Sequence, residues 1–179
     1  MTEAKSKSVT MNFSALYSYI LNTNYRSVPG IMGLALSAGA IVLLIVGWDK
    51  LYIGRKIMII IVALIFTVIN PLMLALKTLQ QLKLSPSYKK PLDYTFHNEG
   101  ITISQGELSQ SIEWSNIYRL MMTKKMLAIY TNRINAFVIP LSELGEDRGK
   151  IISSLVQFTV DYKPILSGNL KGYKSGKGI

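Results

Sequence analysis

The longest apolar stretch runs from Ile57 to Leu76, twenty residues between Lys56 and Lys77 without a charge, interrupted only by Thr67 and Asn70 among polar side chains. At about 1.5 Å per residue, a helix of that length covers about 30 Å, the hydrocarbon thickness of a bilayer. A soluble helix this long would show a polar stripe, which is missing here. The pattern predicts a membrane span over residues 57–77. A second uncharged run, Ser27 to Trp48, has Pro29 in a first-turn position and predicts another span over 29–48. The two form a hairpin within 28–79, joined by a short loop that carries Trp48 and Tyr52, residues suited to a membrane interface.

Small residues mark one span and a proline marks the other. Gly33/Ser37 and Ala35/Gly39 are spaced four apart, which brings small side chains to one helix face and lets a neighbouring helix approach closely. The second span is the expected partner, with a homodimer through the same face as the alternative. Asn70-Pro71 removes a backbone donor and predicts a kink near Thr67. Asn70 is read as a packing contact rather than an ion ligand, because neither uncharged run, 27–48 or 57–76, contains an Asp, Glu, Lys, Arg or His.

After the hairpin the helical pattern breaks at Ser85-Pro86 and Pro91, and the period becomes two. Leu92, Tyr94 and Phe96 alternate with Asp93, Thr95 and His97, and Asn98-Glu99-Gly100 turns the chain. Strands follow at 101–103, 108–114, 117–123, 126–131 and 136–140, and then a helix with Ile151, Ile152, Leu155, Val156 and Phe158 on one stripe. Short antiparallel strands closed by one amphipathic helix predict a curled sheet or open barrel over residues 88–162. The fold class is therefore α+β, a transmembrane helix hairpin followed by a small antiparallel β domain with a C-terminal helix. Residues 163–179, rich in Gly, Lys and Ser, read as a disordered basic tail.

Residues 1–27 form an N-terminal segment that combines two patterns. Val9, Met11 and Phe13 alternate with Thr10 and Asn12, a strand able to pair with an open edge of the β domain. Ser14 then caps an amphipathic, aromatic helix, which suits either a membrane surface or a plain connector.

Charge adds orientation. The chain carries a net charge of +10, and its Lys and Arg flanking the spans number seven on the side of the termini against three in the loop. That excess predicts both termini in the cytoplasm and an inner-membrane, multi-pass location. The basic balance is attributed to membrane orientation, and no nucleic-acid partner is expected. The absence of cysteine excludes disulfides and thiolate metal sites.

Tyr94-Thr-Phe96, Glu99-Gly100-Ile101-x-Ile103, Ile112-x-Trp114-x-x-Ile117, Ala128-Ile-Tyr130 and Ala136-Phe-Val-Ile-Pro140 resemble the C-terminal domain of YcxB-like membrane proteins. The order of segments, two spans and then this domain, is similar as well. The resemblance implies a bacterial module with a pleckstrin-homology-like fold, and no established reaction.

Candidate chemistry is sparse. His97 is the sole histidine and follows a strand, and Ser104, Ser109 and Ser111 have no second imidazole to serve them as base. No catalytic, metal or cofactor residues are assigned, and no cofactor is expected. Arg119, Lys124, Lys125 and Arg133 are the candidate contacts for anionic lipid headgroups or a protein partner. Trp114, beside Ile112 in a strand pattern, is read as core. The expectation is a non-enzymatic inner-membrane protein that presents an interaction domain to the cytoplasm. Two alternatives stay open, an immunity or resistance factor against membrane-active peptides and an accessory subunit of a transporter or signalling complex.

Overall fold

A computed structural model describes residues 5–159, 162 and 164–170 of the chain. They divide into two compact units, one from residues 1–19 and 81–179 and the other from 20–80.

The first unit holds two four-stranded sheets. Strand β1 (Lys5–Val9) precedes helix α1 (Phe13–Arg26), whose first half belongs to this unit. Strands β2 (Leu92–Phe96), β3 (Gly100–Gln105) and β4 (Leu108–Glu113) complete an antiparallel sheet in the order β1-β2-β3-β4. Gly106, with φ of 62°, supplies the left-handed conformation that turns β3 into β4. A helical turn at Trp114–Asn116 leads to the second sheet. There β5 (Arg119–Met122), β6 (Met126–Tyr130) and β7 (Ala136–Pro140) run antiparallel, and β8 (Ile165–Gly168) pairs parallel to β5.

Burial explains the patterns. The first sheet turns Phe96, Tyr94, Ile101, Ile103 and Ile112 into a core shared with Leu120, Leu127, Ile129 and Ile139 of the second. Ile151, Ile152 and Leu155 come from the C-terminal helix (Arg148–Thr159) and join the same core. The second sheet is covered on its other face too, where Ala15 of α1 packs with Met121, Met126, Ala128, Tyr130 and Val138. All five residues of β6 are therefore buried, which is why Met-Leu-Ala-Ile-Tyr reads as an unbroken apolar run.

Four expectations for this unit are corrected. The N-terminal strand lies at 5–9, with Lys5 opposite Phe96 and Val9 opposite Leu92, not at 9–13. Asn12 rather than Ser14 caps the helix, its Oδ1 accepting from the Ala15 N–H at 2.9 Å. That helix lays Ala15 on the second sheet instead of serving as a surface helix or connector over its first turns, and Tyr19 donates to the Ile134 carbonyl. The supposed basic tail contains β8 within 163–179, and Leu170 beyond it is fully buried. The main chain of β8 finds partners on β5, so its strand forms despite a composition that suggests disorder. Residues 163 and 171–179 lie outside those described.

The second unit is built on helices long and apolar enough to cross a bilayer. Helix α2 (Val28–Gly47) begins under Ser27, whose Oγ accepts from the Gly30 N–H. It is followed by α3 (Ile53–Leu64), a π-helical turn (Ile65–Ile69) and α4 (Asn70–Leu84), which together form one continuous helix. The two candidate spans cover Val28–Lys50 and Ile53–Leu84, and only 22% and 11% of their most apolar windows are buried. The second helix is longer than the 57–77 read from hydropathy, because Lys77 to Leu84 continues it past the apolar window. The short helix α5 (Pro86–Lys89) follows Ser85, where the proline pattern breaks the run.

Candidate functional site

A sheet presents chemistry at its edges, where one set of main-chain groups has no neighbouring strand. The alternation on β4 follows from its ladder. The Trp114 N–H donates to the Glu99 carbonyl, so the bonded pairs toward β3 are Ile112–Ile101, Gln110–Ile103 and Leu108–Gln105. The N–H and C=O groups of Ser109, Ser111 and Glu113 point the other way. These three residues are exposed, and no described residue bonds their main chain.

The other long edges are protected. On β7 the outward residues are Ala136, Val138 and Pro140; Pro140 has no N–H, and Val138 is buried against α1. β1 carries Lys7, a charged residue that discourages further pairing. β4 has no Lys, Arg or Pro along its six residues.

Beside this edge lies a cleft of about 760 Å³. Gln110, Ser111, Ile112 and Asn116 line it from the β4 region, and Thr131, Ile134, Asn135, Ala136 and Phe137 from the β6–β7 turn and β7. Tyr19 and Tyr88 complete the lining, which contains no Asp, Glu, Lys, Arg or His. The cleft offers amides, hydroxyls and aromatic surface, the equipment for a neutral polar chain.

The solvent face of the first sheet is paved with small polar side chains. Ser6, Thr95, Thr102 and Ser111 form one row across all four strands, and Ser8, Asp93, Ser104 and Ser109 form the next. Thr95 donates to Ser6, and Thr102 to Ser111, both at 3.3 Å. His97 Nε2 lies 2.9 Å from Thr102 Oγ1, and its carbonyl accepts from the Trp114 indole N–H at 2.9 Å. His97 thus ties a turn to the core. Trp114 is fully buried and stacks on Phe158 with centroids 6.1 Å apart, so its ring face is occupied.

The four basic candidates do not form one patch. Lys124 and Lys125 are exposed at the β5–β6 turn. Arg119 sits at the other end of β5, opposite Tyr130, and lays its guanidinium 4.1 Å over that ring. Arg133 occupies the β6–β7 turn. The hairpin's length separates the lysines from Arg119.

Tyr94 is a second feature unread in the sequence. Its ring is 1% exposed, and among the described residues its hydroxyl has no hydrogen-bond partner. Burial, with a smaller contribution from Tyr88, pushes the phenol far above its ordinary range.

In the helical unit the small-residue pairs separate. Gly33 and Ser37 are buried, the former where any Cβ would strike the Phe66 ring, while Ser37 Oγ donates to the Ala63 carbonyl. Gly39 has open space around it and, with Ala35, lines an apolar groove of about 590 Å³. A π-helical turn stands directly before Asn70-Pro71, and its closing Asn70 N–H bonds the Ile65 carbonyl. In that pattern the Phe66 carbonyl would receive the N–H of residue 71, which proline lacks. The Tyr25 hydroxyl supplies the donor at 2.8 Å. Asn70 Nδ2 contacts Asn24 Oδ1 at 3.3 Å, a packing contact within the unit.

With this geometry in place, the comparison with known families is specific to one stretch. Residues 96–152 match the family model described as YcxB-like protein. The YcxB-like stretch begins at the last residue of β2 and ends in the C-terminal helix, so it contains β4, β7 and most of the cleft lining. Strand β1 and the two long apolar helices lie outside it. No curated protein and no solved structure matches the chain.

Sequence reading reached Trp114 as a core residue but missed Tyr25, the buried Tyr94 hydroxyl and the open β4 edge. Pro71 signals that a carbonyl one turn earlier loses its donor, but which carbonyl that is depends on the π-helical turn, and the identity of its new donor on tertiary contact.

Proposed function

We propose that this chain is a two-span bacterial inner-membrane protein whose YcxB-like unit is a non-enzymatic interaction module in a pleckstrin-homology-like arrangement, held at the cytoplasmic face. The carrying observation is the exposure of the long helices. Ile31, Leu36, Val42, Leu43, Ile45, Ile53, Met58 and Leu72 are all more than 40% exposed on helices with almost no polar side chains. A water-soluble chain would have to leave that apolar surface wet, whereas lipid covers it without cost. Trp48 and Tyr52 support an interfacial turn, with Lys56 4.3 Å over the first ring and Arg55 4.9 Å over the second. Two sheets closed by one C-terminal helix support the module's arrangement. His97 and Trp114 are committed to packing, which supports a binding rather than a catalytic role.

Single cysteines at Ser6, Tyr52 and Ser115 test the topology. An impermeant thiol reagent applied to intact cells should modify the Tyr52→Cys variant and spare the other two until the cells are opened. Labelling of Ser6→Cys and Ser115→Cys in intact cells would invert the orientation, and extraction of the protein by carbonate would remove the membrane reading.

A further inference from the structure

We infer that the β4 edge accepts a single extended strand from an uncharged polypeptide segment, which enters the cleft between β4 and β7. This deepens the reading of the unit as an interaction module and rests on it. The main-chain groups of Ser109, Ser111 and Glu113 point away from β3 and have no partner among the described residues. Three outward residues over 109–113 define a contact about 17 Å long at the usual strand rise. Lys7, Pro140 and the burial of Val138 protect the edges at β1 and β7, whereas along β4 only Glu113, at its end, is charged.

The cleft decides what kind of strand fits. Its far wall, formed by Thr131 and residues 134–137, stands beside the edge. A second copy pairing through its own β4 would bring an attached β3 into that wall, so an isolated segment is the better occupant. The lining is uncharged although the chain carries a net charge of +10. A Lys or Glu side chain placed there would lose hydration without finding a counter-charge. Gln110, Asn116 and Asn135 can bond the peptide groups of the incoming strand, and Phe137 and Tyr88 offer apolar surface to alternate side chains. Main-chain pairing with alternate pockets is a general mode of peptide recognition.

The test uses the full chain in detergent micelles and immobilised arrays of short peptides, one built only from uncharged residues and two matched arrays rich in acidic or basic residues. Binding is expected in the uncharged array. Methylating single amide nitrogens of a bound peptide should weaken it roughly tenfold at every second position and little at the others, because one edge of a strand carries the bonds. Amide exchange at Ser109, Ser111 and Glu113 should slow on binding. Binders confined to a charged array would overturn the inference, as would loss of the alternation or unchanged exchange at those three amides. Concentration-dependent self-association that protects the same amides without peptide would make the occupant a second copy and overturn it as well. Inverted topology in cells would sink the cytoplasmic reading while leaving the micelle result intact, so the two failures are distinguishable.

Discussion

Tyr94 carries a hydroxyl that its surroundings do not serve. The ring belongs to the shared core, where its area contributes to folding, but the oxygen is buried without a partner. An unsatisfied buried polar group costs about 1–3 kcal/mol, so Tyr94→Phe should raise stability by about 1 kcal/mol or more in chemical denaturation. The same residue links stability to alkaline pH. Its native pKa is raised, so the folded state keeps a proton that the unfolded state releases once pH passes the ordinary tyrosine value of about 10. Stability that is fully present below about pH 10 should therefore fall as pH rises further, and Tyr94→Phe should flatten that decline. A parent and variant with parallel alkaline profiles would show that the hydroxyl finds water or a partner.

At the scale of elements, the two long helices meet through small residues, and α1 adds a hydrogen bond to the second of them. Gly33 lets Phe66 approach, whereas Gly39 faces open space. Gly33→Val should destabilise the hairpin, read as a loss of thermal stability in micelles, and Gly39→Ala should leave it near the parent or slightly improve the helix. The π-helical turn gives a sharper test. Tyr25 donates to the Phe66 carbonyl that Pro71 cannot serve, so Tyr25→Phe should cost about 1–2 kcal/mol. In a Pro71→Ala background the new N–H can take over, and the cost of Tyr25→Phe should shrink. Equal losses in the two backgrounds would show that the hydroxyl acts elsewhere.

The whole molecule is closed by a strand from the far end of the sequence. β1 completes the first sheet although two long helices separate it from β2 in the chain. Its ladder bonds the main chain of Leu92, Tyr94 and Phe96, while Asp93 and Thr95 bond toward β3. Removing residues 1–10 should therefore speed amide exchange at Leu92, Tyr94 and Phe96 and leave Asp93 and Thr95 slow. Uniform acceleration would instead mean that β1 is required for the unit to fold at all, and no acceleration would mean the strand is dispensable. A sheet that gathers sequence-distant strands has a high loop-closure cost, which its buried core must offset.

Hydrophobic periodicity is a local property, and what depends on it was legible in the sequence alone. The two apolar helices, strands β2 to β7 and the C-terminal helix stand close to where the pattern puts them, because each buries a continuous stripe or an alternating face. Trp114 was legible as core for the same reason. A lost main-chain donor at Pro71 was legible in the sequence, though not the π-helical turn before it or its service by Tyr25. Tertiary structure alone decided the rest. β1 occupies Lys5-Ser-Lys-Ser-Val, where Val9 alone is buried among the four residues whose burial is described, since the pairing comes from main-chain groups that composition does not reveal. β8 forms within a Gly- and Ser-rich stretch because β5 offers it a parallel partner. Likewise, the open edge of β4 and its neutral cleft exist only once β7 stands opposite, since an edge is defined by the strand that is absent beside it.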